Sequence, residues 1–134
     1  MSRGRAILGL VAGVLQFLYA IAHSGLGGPA LTRELAPFNV PADLQASLLV
    51  GWHFGGACML AFGMVLTDIF WKRLRGVPTS TQPAAVIGAT YAAFGTWALL
   101  SGGFKPFFLI FLVPGVTLLW AARGEATSTR AQTP

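Results

Sequence analysis

Four long apolar runs alternate with three shorter polar or turn-rich stretches along the chain. The runs cover residues 6–23, 44–71, 83–101 and 106–122, and little charge interrupts them. Crossing a hydrocarbon core of roughly 30 Å takes about 20 helical residues. The first, third and fourth runs fall slightly short of that, which snorkelling termini or a locally thinned bilayer accommodates. All four are predicted to be helices, because an isolated apolar strand would leave its backbone unpaired in lipid.

The breaks between runs are made of helix-ending residues. Residues 24–46 hold Gly25, Gly27, Gly28, Pro29, Pro37 and Pro41 and are expected not to span, with 31–35 as a single helical turn at the interface. Pro41-Ala42-Asp43 has the pattern of a helix start, proline early and an acid in the first turn. A short loop covers 73–82, Pro83 opens the third run, Ser101-Gly102-Gly103 breaks it, and Phe104-Lys105-Pro106 turns into the fourth. Pro114 falls inside that last run, where its missing N–H frees the Ile110 carbonyl toward a neighbouring helix. Asp68 and Lys72, four apart, are placed to pair on a helix surface.

The expected architecture is an all-α membrane protein: a four-transmembrane-helix bundle of up-down topology, with N- and C-termini cytoplasmic. Residues 1–122 make the one domain and 123–134 a disordered cytoplasmic tail. Orientation follows from charge. With the N-terminus inside, Arg3, Arg5, Lys72, Arg73, Arg75, Arg123 and Arg130 are cytoplasmic, against Arg33 and Lys105 outside. Trp71 and Trp120 then lie near the inner interface. The start of the chain imitates a signal peptide, with Arg3 and Arg5 before an apolar run and Ala20-Ile21-Ala22 resembling a cleavage site. Retention is expected instead, since three further apolar runs follow and an uncleaved first helix makes the charge pattern consistent.

Composition agrees with a lipid-facing chain. Apolar residues make up 54% and charged residues 10%, whereas soluble domains carry about 25% charged. The net charge of +5 is explained by cations at the ends of apolar runs, so no nucleic-acid partner is implied. A single cysteine, Cys58, excludes an intramolecular disulfide and a CxxC redox pair.

Polar side chains inside apolar runs are where chemistry is sought. Gly9, Gln16 and His23 recur every seven residues and share a helix face, with Tyr19 nearby. The second run offers Gly51-Trp52-His53-Phe54-Gly55. Thr67, Thr90, Tyr91, Thr96, Ser101 and Thr117 are the remaining polar groups in the runs. Gly9 with Gly13, Gly51 with Gly55, and Gly88 with Gly95 are expected to be close-packing positions, the ordinary use of small residues between membrane helices. Both histidines belong to the outer half of the membrane and are expected to face the interior around one polar cavity. Three readings of them stand side by side. Each ring hydrogen-bonds a neighbouring helix or water. Or the two, with Gln16, Tyr19 and Trp52, line a ligand pocket. Or they ligate a metal or haem, Glu34 and Asp43 completing a metal site and Arg33 meeting a haem propionate.

Ala22-His23-Ser24-Gly25 closing the first run and Gly51-Trp52-His53 opening the second resemble a loose group of small, uncharacterised four-helix bacterial inner-membrane proteins. That resemblance implies the four-helix fold and no activity. Small multidrug transporters are similar in size but carry a membrane-embedded glutamate in helix one, where this chain has Gln16. Membrane thiol–disulfide enzymes such as the vitamin K epoxide reductase family require a cysteine pair. The first functional reading is therefore a non-enzymatic component of the inner membrane, in a larger assembly, as a homo-oligomer, or as a binder of a small apolar ligand. The alternative is a haem- or metal-binding redox protein ligated by His23 and His53. The third is a transporter, which four helices achieve only as a dimer.

Overall fold

Each apolar run becomes a helix in the computed structural model, which describes residues 2–123. The described residues are all-α, in four helical runs. The first helical run, Arg3–Phe38, is 36 residues long and changes pitch along its length. A regular α1 (Arg3–Ala22) widens into a π turn at His23–Gly27, resumes as α2 (Gly28–Leu35) and tightens into a 3-10 turn at Ala36–Phe38. The stretch over 24–46, expected to hold only a helical turn at 31–35 and the helix start at 41–43, is helical except for the residues between Phe38 and Ala42. The helix breakers fall where a helix tolerates them. Pro29 stands just after the π turn and Pro37 early in the 3-10 turn, so each proline falls where the run changes pitch. Asn39, at φ 49°, then turns the chain out.

The next helix, α3 (Ala42–Leu74), starts at the predicted signal: Gln45 N–H donates to the Pro41 carbonyl at 2.9 Å, and Asp43 lies in the first turn. It ends at Gly76, whose φ of +76° lets Val77 N–H reach the Lys72 carbonyl at 2.9 Å and its own N–H reach Arg73 at 3.1 Å. These paired bonds satisfy carbonyls that the helix end would otherwise orphan. Asp68 and Lys72 pair at 2.7 Å on the exposed surface. α4 (Gln82–Ser101) carries Pro83 in its first turn. It closes at Gly103, φ +69°. A 3-10 turn, Pro106–Phe108, leads into α5 (Leu109–Ala122), which contains Pro114.

Three helical runs are long and apolar enough to cross a membrane: Arg3–Phe38, Ala42–Leu74 (33 residues) and Gln82–Ser101 (20 residues); Pro106–Ala122 is apolar but shorter. The tail expected over 123–134 lies, from residue 124 onward, outside the described residues.

The chain divides into two compact units. One comprises Met1–Gly13 and Val65–Pro134. Within it α4 and α5 run antiparallel in close contact. A Cβ placed on Gly88 would stand 3.0 Å from Leu118 and from the Gly115 carbonyl, and one on Gly95 would stand 2.6 Å from the Leu112 nitrogen. Gly115 abuts the Ala92 backbone in return. Thr81 stands just before α4, where a capping hydroxyl is expected. Its Oγ1 donates instead to the Ala122 carbonyl at 3.0 Å, tying the start of α4 to the end of α5. The beginning of α1 meets the end of α3 in the same unit: Gly9 lies against the Phe70 ring, and Gly13 against Leu66 and Thr67. Leu66 and Phe70 are fully buried there. The other unit, Val14–Met64, pairs the rest of α1, the π turn and α2 with the first two-thirds of α3. Gly63 packs on the backbone of Phe17, 2.6 Å from its nitrogen to a built Cβ.

Candidate functional site

The site lies within the Val14–Met64 unit, where the π turn meets α3. A π turn carries an extra residue and loosens the carbonyl ladder of the helix around it. Here it presents the His23 carbonyl to α3. The Trp52 indole N–H donates to that carbonyl at 2.7 Å. The reverse bond closes the pair: His23 Nε2 lies 3.1 Å from the Trp52 carbonyl. A carbonyl oxygen only accepts, so His23 Nε2 is the donor and carries the hydrogen. The two rings lie face to face, centroids 4.2 Å apart and planes 6° from parallel. Each residue therefore offers the other a donor, an acceptor and an aromatic face.

Glycines on both sides make room for this. A Cβ on Gly27 would stand 2.7 Å from the Trp52 ring, and one on Gly28 would stand 3.0 Å from His53 Cε1. On α3, Gly56 abuts the Ser24 hydroxyl, while Gly55 sits 3.6 Å from His23 Nε2 by the same construction. The segment His23-Ser24-Gly25-Leu26-Gly27-Gly28 thus meets Trp52-His53-Phe54-Gly55-Gly56 with bulky groups against glycines in both directions.

The structure treats the two histidines differently. His23 is half-buried and committed to Trp52. His53 is exposed, with its ring edge on the buried Gly28 of α2. Gln16 is buried and has an interaction partner, whereas Tyr19 is exposed. Of the expected packing glycines, Gly9, Gly13, Gly88 and Gly95 stand at close approaches, Gly55 makes only an ordinary contact, and Gly51 has nothing within 4 Å of a built Cβ. Gly56, which the sequence places on the same helix face as His53, stands at a close approach, as do Gly27, Gly63 and Gly115, which sequence reasoning did not single out. Thr90, Thr96 and Thr117 each donate to the carbonyl four residues back, at 3.0, 2.8 and 2.8 Å. Their hydroxyl hydrogens are spent inside their own helices, which leaves only the oxygens as acceptors.

Zinc requires three or four ligands, and among the described residues no three His, Cys, Asp and Glu side chains come together. Glu34 and Asp43 do not complete a set with the histidines. A haem axial ligand needs an imidazole lone pair. The Nε2 of His23 is spent on the Trp52 carbonyl, which leaves Nδ1 and the exposed ring of His53.

Comparison with protein-family models, with curated proteins and with solved structures finds no match for this chain.

Proposed function

We propose that this chain is a multi-pass protein of the inner membrane, with four spans and both ends cytoplasmic, and that it binds rather than catalyses. The carrying observation is the apolar surface of α3. Only 11% of its most apolar stretch is buried within the protein, and Val50 and Phe54 are 71% and 70% exposed. A soluble monomer does not leave such a surface to water, and a bilayer covers it. α5 is short for a span, and Pro106–Phe108 together with local thinning supplies the missing length.

The functional reading is a non-enzymatic component of a membrane assembly or a binder of a small apolar ligand, with His53 as the polar contact. His23 and Trp52 hold their helices together, with the His23 Nε2 and the Trp52 indole N–H both engaged. His53 is left exposed on an otherwise apolar helix, where a ring nitrogen without a partner costs several kcal/mol in lipid. A headgroup, a water-filled recess, a ligand or a partner helix removes that cost. The membrane part is tested by alkaline carbonate extraction, with the chain expected in the pellet. The binding part is tested by purifying the protein in mild detergent and identifying what accompanies it. A co-purifying small molecule or partner that is lost in His53→Ala supports the reading. A haem absorption band in the purified protein would replace it with the redox alternative.

A further inference from the structure

The level at which His53 stands in the bilayer decides which molecule it can meet. Charge bounds the two long helical runs. Arg3–Phe38 carries no Asp, Glu, Lys or Arg between Arg5 and Arg33, and α3 carries none between Asp43 and Asp68. At the end assigned to the cytoplasm, Arg5 Nη2 donates to the Ala121 carbonyl of α5 at 3.1 Å, and Asp68 pairs with Lys72 at 2.7 Å. At the outer end Arg33, Glu34 and Asp43 are all exposed. Exposed charges belong outside the hydrocarbon core, so the core lies between these marks on both helices.

A core of about 30 Å, crossed at the average tilt of about 20°, takes about 21 residues at 1.5 Å each. Counted from Arg5, its outer boundary falls in the π turn, near Gly25 and Leu26. Counted back from Asp68 or from Lys72, it falls between Ser47 and Gly51 on α3. Contacts within the site join the two counts. Gly56 abuts Ser24 in the π turn, and His53 lies over Gly28, one turn farther out. His53 therefore stands between the two boundaries, at the outer headgroup level. The Trp52 indole, bonded to the His23 carbonyl, shares that level, where bilayers favour tryptophan. α2, with the exposed Arg33 and Glu34, then stands in the outer aqueous layer.

An imidazole presents at least one N–H donor, and the phosphate and ester oxygens of the headgroup layer accept. Deeper than His53 the exposed surface of α3 is apolar. Phe54 is 70% exposed, and Ala57 and Ala61, one and two turns below His53, are exposed with it. One molecule with oxygen acceptors at the headgroup level and a hydrocarbon chain beneath them meets both features. We infer that the ligand of His53 is a phospholipid of the outer leaflet, whose phosphate or ester oxygen accepts from the ring while an acyl chain lies along Phe54, Ala57 and Ala61. The inference deepens the binding reading of His53 and rests on it.

The test uses the whole chain with Cys58→Ser in phosphatidylcholine nanodiscs. Nitroxides are attached one at a time through Glu34→Cys, Ser47→Cys, Ala57→Cys and Ala61→Cys, all exposed positions. They are relaxed by oxygen, which concentrates in hydrocarbon, or by a water-soluble nickel chelate. The chelate should prevail at Glu34 and Ser47, and oxygen at Ala57 and Ala61. Oxygen prevailing at Ser47 as it does at Ala61 would overturn the inference by sinking His53 into the core. Phospholipid retained through purification in mild detergent is counted by native mass spectrometry. His53→Ala should lower it about two- to tenfold, the worth of one hydrogen bond, while His53→Gln keeps an N–H donor and should retain most of it. Equal retention by wild type and His53→Ala would overturn the inference. So would a co-purifying molecule other than a lipid that His53→Ala releases, an outcome that leaves the binding reading standing. Carbonate extraction in parallel tests the membrane reading by itself.

Discussion

The Trp52 indole donates to the His23 carbonyl while the His23 imidazole donates to the Trp52 carbonyl, and the two rings stack at 4.2 Å. This reciprocity makes each side chain both a donor to the other's backbone and a cover for the other's ring. Removing one partner leaves a carbonyl of the other without its donor in a weakly polar setting.

Trp52→Phe is therefore expected to destabilise the protein in detergent by about 1–3 kcal/mol, the cost of an unsatisfied buried acceptor. His23→Ala should cost a similar amount, and the double variant less than the sum, because the two residues share one interaction. Thermal unfolding of the four proteins measures the coupling. Additive losses would show that the stacked pair contributes no mutual stabilisation.

Glycine positions separate by what a side chain would meet. Gly95→Ala drives a methyl toward the Leu112 nitrogen, 2.6 Å away, and two packed backbones yield poorly. The expected loss is about 1–3 kcal/mol, the usual cost of overpacking. Gly51→Ala meets nothing within 4 Å and should be neutral or stabilising by up to about 1 kcal/mol, because alanine is the better helix former. Gly55, with an ordinary contact at 3.6 Å, should tolerate alanine while leucine there displaces the His23 ring. Unfolding midpoints for Gly95→Ala and Gly51→Ala that coincide would remove the distinction.

Much of the helix plan was legible because its signals are local. Pro41-Ala42-Asp43 starts α3, Pro83 lies in the first turn of α4, Gly102 and Gly103 end α4, and Asp68 reaches Lys72 one turn on. The continuation of the first helix through residues 24–38 was not legible. Counting Gly27, Gly28, Pro29 and Pro37 as breakers ignores where in a helix each one falls, and all four fall at a π turn, a helix start or a 3-10 turn. The site was half legible. His23 and Trp52 stood out by type, yet their pairing depends on which residues of two distant segments face each other. One available signal was the matching of bulky groups in 23–28 and 52–56 to glycines in the opposite segment. A count of GxxxG patterns misses it, because it favours Gly51 and Gly55 over Gly27 and Gly56.

Topology is predicted from the distribution of cations, now concentrated by packing at the shared end of α1, α3 and α5. In a Cys58→Ser background, a cysteine at Pro37 should react with an impermeant maleimide added outside intact cells. One at Ser80, in the loop before α4, should react only after the membrane is opened. External labelling at Ser80 would invert the assignment and with it the cytoplasmic placement of Arg5 and Arg123.

The two histidines should part company under mutation. His23 is half-buried, bonded and stacked, so its loss falls on stability. His53 is exposed and lies over Gly28, so His53→Ala is expected to shift stability by less than about 0.5 kcal/mol, as surface changes do. Its loss should fall instead on whatever the protein holds: a co-purifying ligand or partner is retained by wild type and released by His53→Ala at unchanged unfolding temperature. Gly28→Ala supplies the complementary probe, because its methyl meets His53 Cε1 at 3.0 Å, against 4.0 Å to the nearest Trp52 atom, and must push the His53 ring aside. It should mimic His53→Ala in binding while leaving the His23–Trp52 pair in place, visible as an unchanged indole N–H resonance for Trp52. If His53→Ala instead unfolds the protein as readily as His23→Ala, then His53 is a packing residue like its neighbour, and the binding role assigned to it is wrong.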